Sequence, residues 1–556
     1  MAQPKRWRWT FWLMPVAALF LIASTVKDDF FEMSKQLEIM QSAFRELNLS
    51  YVDDLAPGEM METGIHAMLA KLDPYTRYFP ESKMEDVRFM QTGEYGGIGA
   101  SVERTEDGTF VVVDLLDNEP AQQAGLRLGD ELLRVDGQRL ESLSQDRVGE
   151  LMKGATGTMV TLEIRRPGND GTLDFELERR KVKIPDIPYR GMLSDRVGYL
   201  SLGSFTKTAS SEVRKSVMFL KDSLQAEALV VDLRGNGGGL LREAIAMVNI
   251  FVGKNQEVVS TKGKTDEWNK SYKTRGNALI PDMPVVVLVD GRSASASEIV
   301  AGTLQDLDRA VVIGEESFGK GLVQKTVKLA YGTRMKVTVA KYYTPSGRCV
   351  QRLDYSHRDE DGEVHAAADS TLSTFYTANG RAVLEGRGVL PDVEVPLPVP
   401  SYVLMGLLDH RTLFDFVVAN RDALDAPEDA LDFRLTDDWW ERFVAHVEGL
   451  DEVPYASETE QAFADLLATA NSELLTEPNQ QAFDRLEADL KPAVRDDLER
   501  HAEEIRAALE AEMVAHRFGK QGTYRHGLAT DPVAIEALAV LDSERYTAIL
   551  SGPVNP

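Results

Sequence analysis

Three short apolar runs, each followed directly by a loop of glycine or other small residues, constrain the fold of this chain most. The run 228–232 leads into a glycine-rich loop, 284–290 leads into a serine cluster, and 310–314 leads into a loop that carries a lysine. Short apolar runs bounded by turns are typical of buried strands. Strands that alternate with glycine turns and helices are typical of α/β proteins, so we expect residues 183–398 to form an α/β core.

The 556 residues are too many for a single hydrophobic core and indicate several domains. Helical spacing of apolar residues marks 28–91 and 399–556, and we expect the second, acidic region to form a solvated helical bundle. Short alternating strands mark 92–182, and the polar stretch 352–384 has the character of a surface insertion. The expected fold class is therefore multidomain α/β, with a β-rich domain and helical N- and C-terminal regions.

The N-terminus carries three basic residues within its first eight positions, followed by an apolar run over 10–23. A basic segment before an apolar run of this length is typical of a signal peptide. Because the cleavage site is weak, residues 1–27 fit either a cleaved signal peptide or a membrane anchor over 10–25. Both would place the rest of the chain outside the cytoplasm, and a buried N-terminal helix is the alternative.

The formal net charge of −27 argues against nucleic acid as a partner, because phosphate contacts need clustered Lys and Arg. The single cysteine, Cys349, excludes an internal disulfide and a cysteine-based zinc site. We interpret Cys349 as a structural residue rather than a thiol nucleophile. No motif requires a metal or a cofactor, so we expect neither.

Two motifs in the β-rich region are specific: Pro-Ala-x-x-Ala-Gly at 120–125 and Gly-Asp-x-Leu-x-x-Val-Asp-Gly at 129–137. Together they resemble a PDZ domain, a module that binds extended C-terminal tails by adding them to a sheet as a strand. The resemblance implies that the loop Tyr95-Gly96-Gly97-Ile98-Gly99 binds the carboxylate of the tail. Glycines in such a loop allow backbone N–H groups to converge on an anion.

Two residues at strand ends indicate hydrolytic chemistry: Ser295, within Ser-Ala-Ser-Ala-Ser at 293–297, and Lys320. No histidine occurs between His66 and His357, so a serine nucleophile here needs another base, and the lysine can provide it. A lysine has an ordinary pKa of about 10.4. It can accept a proton only if desolvation disfavours its charged form.

Two glycine loops have to be compared with nucleotide-binding motifs. The loop 235–239 fails as a dinucleotide fingerprint, because Leu240 stands where Gly or Ala is required. An oxyanion hole is the better interpretation of its backbone N–H groups. The loop 314–321 nearly matches a P-loop, but Gly321 replaces the magnesium-binding Ser or Thr, and residues 322–329 have strand character. Both departures argue against a nucleotide binder.

Taken together, these segments resemble the S41 family of C-terminal processing, or tail-specific, serine peptidases, from about residue 30 to 395. The resemblance implies a crotonase-like α/β core that carries an inserted PDZ domain. It also implies Ser295 as the nucleophile, Lys320 as the general base and Gln324 as the residue that orients the lysine.

The same resemblance implies oxyanion donors just after the nucleophile, at Ala296, and in the glycine loop, at Gly237 or Gly238. The sequence alone leaves Ser293 and Ser297 open as alternative nucleophiles. A scaffold without catalytic activity and an acyl-CoA enzyme with the crotonase fold are the other function classes. The complete Ser/Lys/Gln set and the PDZ motifs favour a peptidase over both.

The resemblance implies an ATP-independent serine endopeptidase of the bacterial periplasm. Its expected substrates are proteins or peptides with free, apolar C-termini. Membrane contact is expected only through the N-terminal segment, and a homodimer through the terminal helices is compatible with the sequence.

Overall fold

The computed structural model describes the backbone of residues 10–552 except 360–361, 367–371, 426 and 491–492, and side chains from residue 30 onward within those limits. The chain divides into two compact units, one made of Met1–Pro80 and Val327–Lys336 and the other of Glu81–Thr326 and Val337–Pro556.

The first unit is mainly helical. Its elements are α1 (Thr10–Ser50), α2 (Pro57–Leu69) and the short strand β1 (Arg77–Phe79), which pairs antiparallel with residues 334–336. Pro57 starts α2, because its missing N–H group is not needed in the first turn. Part of the expected signal segment, residues 1–9, lies outside the described residues, and the remainder begins α1. No helix in the described part of the chain has both the length and the apolar character that a membrane crossing requires.

The second unit begins with a β-rich region. Its elements in chain order are α3 (Met84–Thr92), β2 (Glu94–Gly97), β3 (Ala100–Arg104), β4 (Phe110–Leu115), α4 (Pro120–Gln123), β5 (Glu131–Val135), β6 (Gln138–Arg139), α5 (Gln145–Met152), β7 (Met159–Arg165), β8 (Thr172–Glu178) and β9 (Arg180–Lys183). The main sheet has the order β3-β4-β5-β7-β8 and is antiparallel throughout. Strand β2 pairs with β9 in a separate ribbon. The alternating strands expected here are confirmed.

The core that follows alternates strands and helices. Its elements are β10 (Tyr189–Met192), β11 (Val197–Ser201), α6 (Ala209–Met218), β12 (Ala228–Asp232), α7 (Leu241–Phe251), β13 (Glu257–Gly263), β14 (Lys270–Lys273), β15 (Val285–Val289), α8 (Ala296–Asp306), β16 (Val311–Gly314), β17 (Leu322–Lys328), β18 (Arg334–Tyr343), β19 (Thr374–Tyr376), β20 (Ala382–Leu384) and β21 (Val393–Glu394). The central sheet has the order β10-β11-β12-β15-β16-β21, and all its pairs beyond β10–β11 are parallel.

The parallel arrangement brings the three sequence loops together. Strands β12, β15 and β16 are neighbours and consist entirely of buried residues. The loop after each strand therefore leaves the sheet at its carboxyl edge, where open α/β sheets bind their ligands. The glycine loop, the serine cluster and the lysine loop meet there although they are far apart in the sequence.

The C-terminal region is helical. Its elements are α9 (Tyr402–Asp409), α10 (Thr412–Asn420), α11 (Asp437–Glu448), α12 (Glu458–Ser472), α13 (Gln480–Leu490), α14 (Val494–Arg500), α15 (Ala502–Leu528), α16 (Pro532–Leu541) and α17 (Arg545–Ser551). The run 480–516 has continuous helical periodicity in the sequence, but it is divided among α13, α14 and α15.

The central sheet is covered on both faces. Leu229 and Val231 of β12 belong to one apolar cluster, which also contains residues of α7 and α8. Val230 points to the opposite face and shares a cluster with Val533 and Val540 of α16. The expectation of a solvated bundle over 399–556 is therefore wrong for α16, because its apolar side is buried against the sheet.

Candidate functional site

The turn after β15 holds Ser295 in a conformation that L-amino acids rarely adopt. Ser295 is the N-cap residue of α8, with φ 58° and ψ −108°. A non-glycine residue with positive φ carries backbone strain that is often found at functional sites. Ser295 is also only half-buried, so its side chain can be reached from solvent.

The two neighbouring serines have structural roles. The hydroxyl of Ser293 donates to the carbonyl of Leu233 at 2.8 Å, and the hydroxyl of Ser297 donates to the carbonyl of Asn236 at 2.8 Å. Both side chains are completely buried. Because both hydroxyls connect the serine turn to the glycine loop, the geometry favours Ser295 as the candidate nucleophile among the three serines.

The lysine loop, residues 315–321, lies directly against the serine turn. The N–H of Phe318 donates to the carbonyl of Ser293 at 3.0 Å. Tyr342 of β18 makes a second connection, because its N–H donates to Gly321 at 2.9 Å and its hydroxyl donates to the carbonyl of Ser295 at 3.1 Å. Burial raises the pKa of Tyr342 well above its usual value, so the hydroxyl stays a donor.

The carboxylate of Glu298 joins the two loops most directly. Its Oε1 accepts from the hydroxyl of Ser317 at 2.6 Å and from the N–H of Gly319 at 2.7 Å. Its Oε2 accepts from the N–H of Ser295 at 2.7 Å and from the N–H of Lys320 at 2.8 Å. The backbone nitrogens of Ser295 and Lys320 are therefore separated by no more than the sum of the last two distances.

Glu298 is completely buried. Burial raises the pKa of its carboxyl group, and the hydrogen bonds that it accepts oppose that rise. Three of its four partners are backbone N–H groups, which can only donate, so these hydrogen bonds favour the ionised form.

Sequence reasoning missed the roles of Glu298 and Tyr342. A glutamate three residues after an N-cap serine is the capping-box spacing, and that signal could have indicated Glu298. Nothing local in the sequence indicated Tyr342, because its partners lie in two other segments.

The glycine loop approaches the serine turn without room for a side chain. A Cβ atom on Gly238, which has φ +97°, would lie 2.6 Å from the carbonyl oxygen of Ala294 and 2.9 Å from the backbone nitrogen of Ala296. The N–H of Gly238 donates to Oδ1 of Asn236 at 2.8 Å. Gly237 is exposed, whereas Gly238 and Ala296 are buried.

Gln324 lies on β17, four residues beyond Lys320. Its side-chain amide donates to the hydroxyl of Thr338 at 3.3 Å. Because β17 is a strand that begins at Leu322, the segment after the lysine lacks the helix that a P-loop needs. The structure therefore supports the argument against nucleotide binding at 314–321.

The five residues expected to bind a tail carboxylate lie at the start of the β-rich region. Tyr95, Gly96 and Gly97 belong to β2, and Gly99 forms a turn with φ +77° before β3. A Cβ atom on Gly96 would lie 2.0 Å from the carbonyl oxygen of Gly154. The side chain of Ile98 is buried among the apolar residues of the main sheet.

The ring of Tyr95 is enclosed by side chains from neighbouring elements. It packs edge-on against Phe89, with centroids 5.8 Å apart, and the ammonium of Lys153 lies 5.8 Å from its centroid. Burial, followed by the charges of Glu119 and Asp114, raises the pKa of Tyr95 to about 12.

Cys349 is buried, and burial raises the pKa of its thiol, which does not suit a thiolate nucleophile. Its sulfur lies 3.1 Å from the position that a Cβ atom on Gly321 would occupy. Across the residues that the structure describes, no group of three or more His, Cys, Asp or Glu side chains could hold a metal ion.

Comparison with known proteins identifies three related families along the chain. A family model described as Peptidase family S41 matches residues 196–356, a PDZ domain model matches 86–165, and a model of the C-terminal helical domain of PDZ-proteases matches 403–541.

Two curated relatives and one solved structure illustrate the similarity. The carboxy-terminal-processing protease of Bartonella bacilliformis is 36% identical over 322 residues, which are 57% of this chain and 73% of that protein. The carboxy-terminal processing protease CtpA of Bacillus subtilis is 31% identical over 319 residues, or 56% of this chain and 66% of that one. The structure of a photosystem II D1 C-terminal processing protease has 26% identity and a TM-score of 0.35, and the match covers 64% of this chain and 92% of that one.

Proposed function

This chain belongs to peptidase family S41, the carboxy-terminal-processing serine proteases, and we propose that it is a Ser/Lys endopeptidase that cleaves proteins recognised by their C-terminal tails, without ATP. The observation that carries the proposal is the shared acceptor on Glu298, which holds the backbones of Ser295 and Lys320 side by side. At that separation the long lysine side chain has the reach to meet the serine hydroxyl.

In the proposed mechanism, Oγ of Ser295 attacks the carbonyl carbon of the scissile peptide bond, and its proton passes to the neutral amine of Lys320. The C–N bond then breaks, and Lys320 returns the proton to the leaving amine. Water attacks the acyl-enzyme ester, again with Lys320 as the base. The C–O bond to Ser295 then breaks, Lys320 returns the proton to Oγ, and the acid product is released. Gln324 would orient the lysine.

The oxyanion of the tetrahedral intermediate needs backbone donors near Ser295. We propose the N–H of Ala296, at the start of α8, together with that of Gly237. Gly237 is preferred to Gly238 because the Gly238 N–H already donates to Asn236. One such donor contributes on the order of 3–4 kcal/mol to stabilising the transition state.

The PDZ domain would select the substrates. We propose that the loop from Tyr95 to Gly99 binds the free carboxylate of an apolar tail, and that β3 pairs with the residues before it. Strand β3 is suitable because it is an edge strand of its sheet. Adding a tail peptide in trans to an untethered short substrate separates two roles of the domain: activation accelerates cleavage, whereas simple tethering leaves the rate unchanged.

We propose the bacterial periplasm as the location, reached through the signal segment at 1–27, whether cleaved or retained as an anchor over 10–25. A homodimer through the terminal helices is part of the same proposal. Cell fractionation with N-terminal sequencing tests the location, and sedimentation of the purified protein tests the dimer.

The decisive experiment compares the wild type with Ser295→Ala and Lys320→Ala on a protein that bears an apolar tail, with fragments identified by mass spectrometry. Each change should lower kcat by about 10⁴-fold or more. Lys325→Ala is the matched control, because this lysine is half-exposed on the same strand that follows the loop. The wild-type rate should rise as the pH increases and Lys320 loses its proton. Hydrolysis that survives either catalytic change would refute the proposal.

A further inference from the structure

Arg234, the residue just before the glycine loop, is held by carboxylates from two different parts of the chain. Its Nη2 donates to Oδ2 of Asp232 at 2.6 Å, while Nη1 donates to Oδ1 of Asp531 at 3.1 Å and Nη2 also donates to Oδ2 of Asp531 at 2.5 Å. Asp232 ends β12, whereas Asp531 lies 297 residues beyond Arg234, in the C-terminal helical region. A bidentate guanidinium–carboxylate pair fixes orientation as well as distance.

Asp531 is itself in a fixed position. It is the N-cap residue of α16, where its side chain accepts from the N–H groups of Val533 and Ala534. The apolar side of α16 packs on the central sheet through Val533, Ala537 and Val540. The carboxylate therefore reaches the carboxyl edge of the sheet from a helix that cannot shift without disturbing the core.

Hydrogen bonds also hold the glycine loop in position. The N–H of Gly235 donates to Asp290 at 2.9 Å, and the carbonyl of Asn236 accepts from the N–H of Ala294 at 3.0 Å. On its other side, Arg234 borders a cavity of about 1470 Å³, which is also lined by Asp531 and by Asp114 of the β-rich region. Van der Waals packing cannot hold a loop against open space, so the ion pair supplies the restraint on that side.

We propose that Asp531 is a positioning residue for the reaction: through Arg234 it holds the glycine loop at the distance from Ser295 that an oxyanion requires. The C-terminal helical region thereby contributes to the active site through Arg234. This inference rests on the proposed function, because it assigns the loop to the oxyanion hole.

The test uses the full chain with Asp531→Asn. Asparagine caps a helix as well as aspartate does, so α16 keeps its N-cap while the second carboxylate on Arg234 is lost. Asp429→Asn is the matched control, because Asp429 caps a short 3₁₀ helix in the same region, Ala430–Asp432, and also pairs with an arginine, Arg525, at 3.0 Å. The substrate is a short unstructured peptide, and the labelling rate of Ser295 by a fluorophosphonate is measured in parallel.

For Asp531→Asn we expect kcat and the labelling rate to fall by about 10- to 100-fold, as for a misplacement of about 1 Å near the reacting atoms. KM should change little, since the restraint acts on the transition state. Asp429→Asn should keep the wild-type kcat. If Asp531→Asn does not fold, Asp531→Ser removes the charge with another good capping residue.

The outcomes separate the two ideas. A wild type that cleaves and is labelled at Ser295, beside an Asp531 variant with the same kcat and labelling rate, overturns this inference and leaves the proposed function intact. A wild type without Ser295-dependent cleavage or labelling overturns the proposed function and this inference with it. An equal loss of kcat in the Asp429 variant shows a general effect of the helical region and also overturns the inference.

Discussion

Ser295 and Lys320 donate their backbone N–H groups to the same oxygen atom, Oε2 of Glu298, at 2.7 and 2.8 Å. Each residue belongs to a different loop at the carboxyl edge of the central sheet. One buried carboxylate thus sets the spacing of the two loops, and the Ser/Lys proposal depends on that spacing.

Replacement of Glu298 by Gln tests this dependence. In either orientation the amide nitrogen that replaces one oxygen would face at least one backbone N–H group, which can only donate, so at least one hydrogen bond would be lost at a buried position. We expect kcat to fall by about 100-fold or more and the free energy of unfolding to fall by about 1–3 kcal/mol. Peptide hydrolysis and urea unfolding measure the two effects.

The control for that change is Glu315→Gln in the lysine loop, where the side chain accepts from the N–H of Leu397 at 3.1 Å. Its kcat should stay within about twofold of the wild type, because the contact lies away from the serine turn. Wild-type activity in Glu298→Gln would contradict the positioning role of the carboxylate.

A stability prediction concerns Arg348, which is completely buried. Its Nη2 donates to Gln305 at 2.7 Å and lies 3.0 Å from Oδ1 of Asp306, which is also buried. Arg348→Ala leaves Asp306 as an uncompensated charge, so the free energy of unfolding should fall by about 3–5 kcal/mol. Arg352→Ala, at a half-exposed arginine 3.9 Å from Glu316, should cost less than about 1 kcal/mol. Equal urea midpoints for the two variants would show that the buried pair stabilises the fold no more than the half-exposed pair does.

Two glycines of the PDZ domain should respond in opposite ways to alanine. Gly96→Ala would place a Cβ atom 2.0 Å from the carbonyl of Gly154, so we expect lost binding of an apolar tail peptide and a destabilisation of about 1–3 kcal/mol. Gly149 lies inside α5 with open space around it, so Gly149→Ala should stabilise the protein by about 0.5–1 kcal/mol. Fluorescence anisotropy and thermal unfolding of the full chain check both; unchanged tail binding in Gly96→Ala would count against the proposed loop.

The stability of the helical region should depend on pH through His446. Its ring packs near Phe416, with centroids 5.4 Å apart, and burial lowers its pKa, while the charge of Asp415 opposes that shift. The folded state therefore binds a proton less readily than the unfolded state does. The resulting stability is present above the unfolded pKa of about 6.5 and is lost as the pH falls.

Urea midpoints at pH 7.5 and pH 5.0 measure this effect for the wild type and for His446→Gln. The wild type should lose more stability between the two pH values than the variant, which has no titrating group at that position. An identical loss in both proteins would show that His446 does not contribute.

Local sequence signals were sufficient for the elements that surround the candidate site. The apolar runs at 228–232 and 284–290 became β12 and β15. These predictions succeeded because continuous burial requires continuous apolar sequence. The local motifs also indicate Ser295 and Lys320 as candidate catalytic residues without any information from the structure.

Long-range contacts could not be predicted in this way. The bonds from Glu298 to the lysine loop span 19 to 22 residues, and the pair of Arg234 with Asp531 spans 297. Neither partner carries a local signature of the other, because a charged residue at a helix start is ordinarily solvated or a cap. The packing of α16 on the central sheet could not be predicted either, because its apolar residues would fit against any apolar surface.

The buried thiol beneath Gly321 has a practical consequence for classifying this enzyme by inhibitors. Alkylation of Cys349 would attach a bulky group to a sulfur that lies only 3.1 Å from the position of a Cβ atom on Gly321, the residue that follows Lys320 in the sequence. Slow inactivation by maleimides or iodoacetamide would thus report steric distortion of the base loop, and such a result should not be taken as the signature of a cysteine protease.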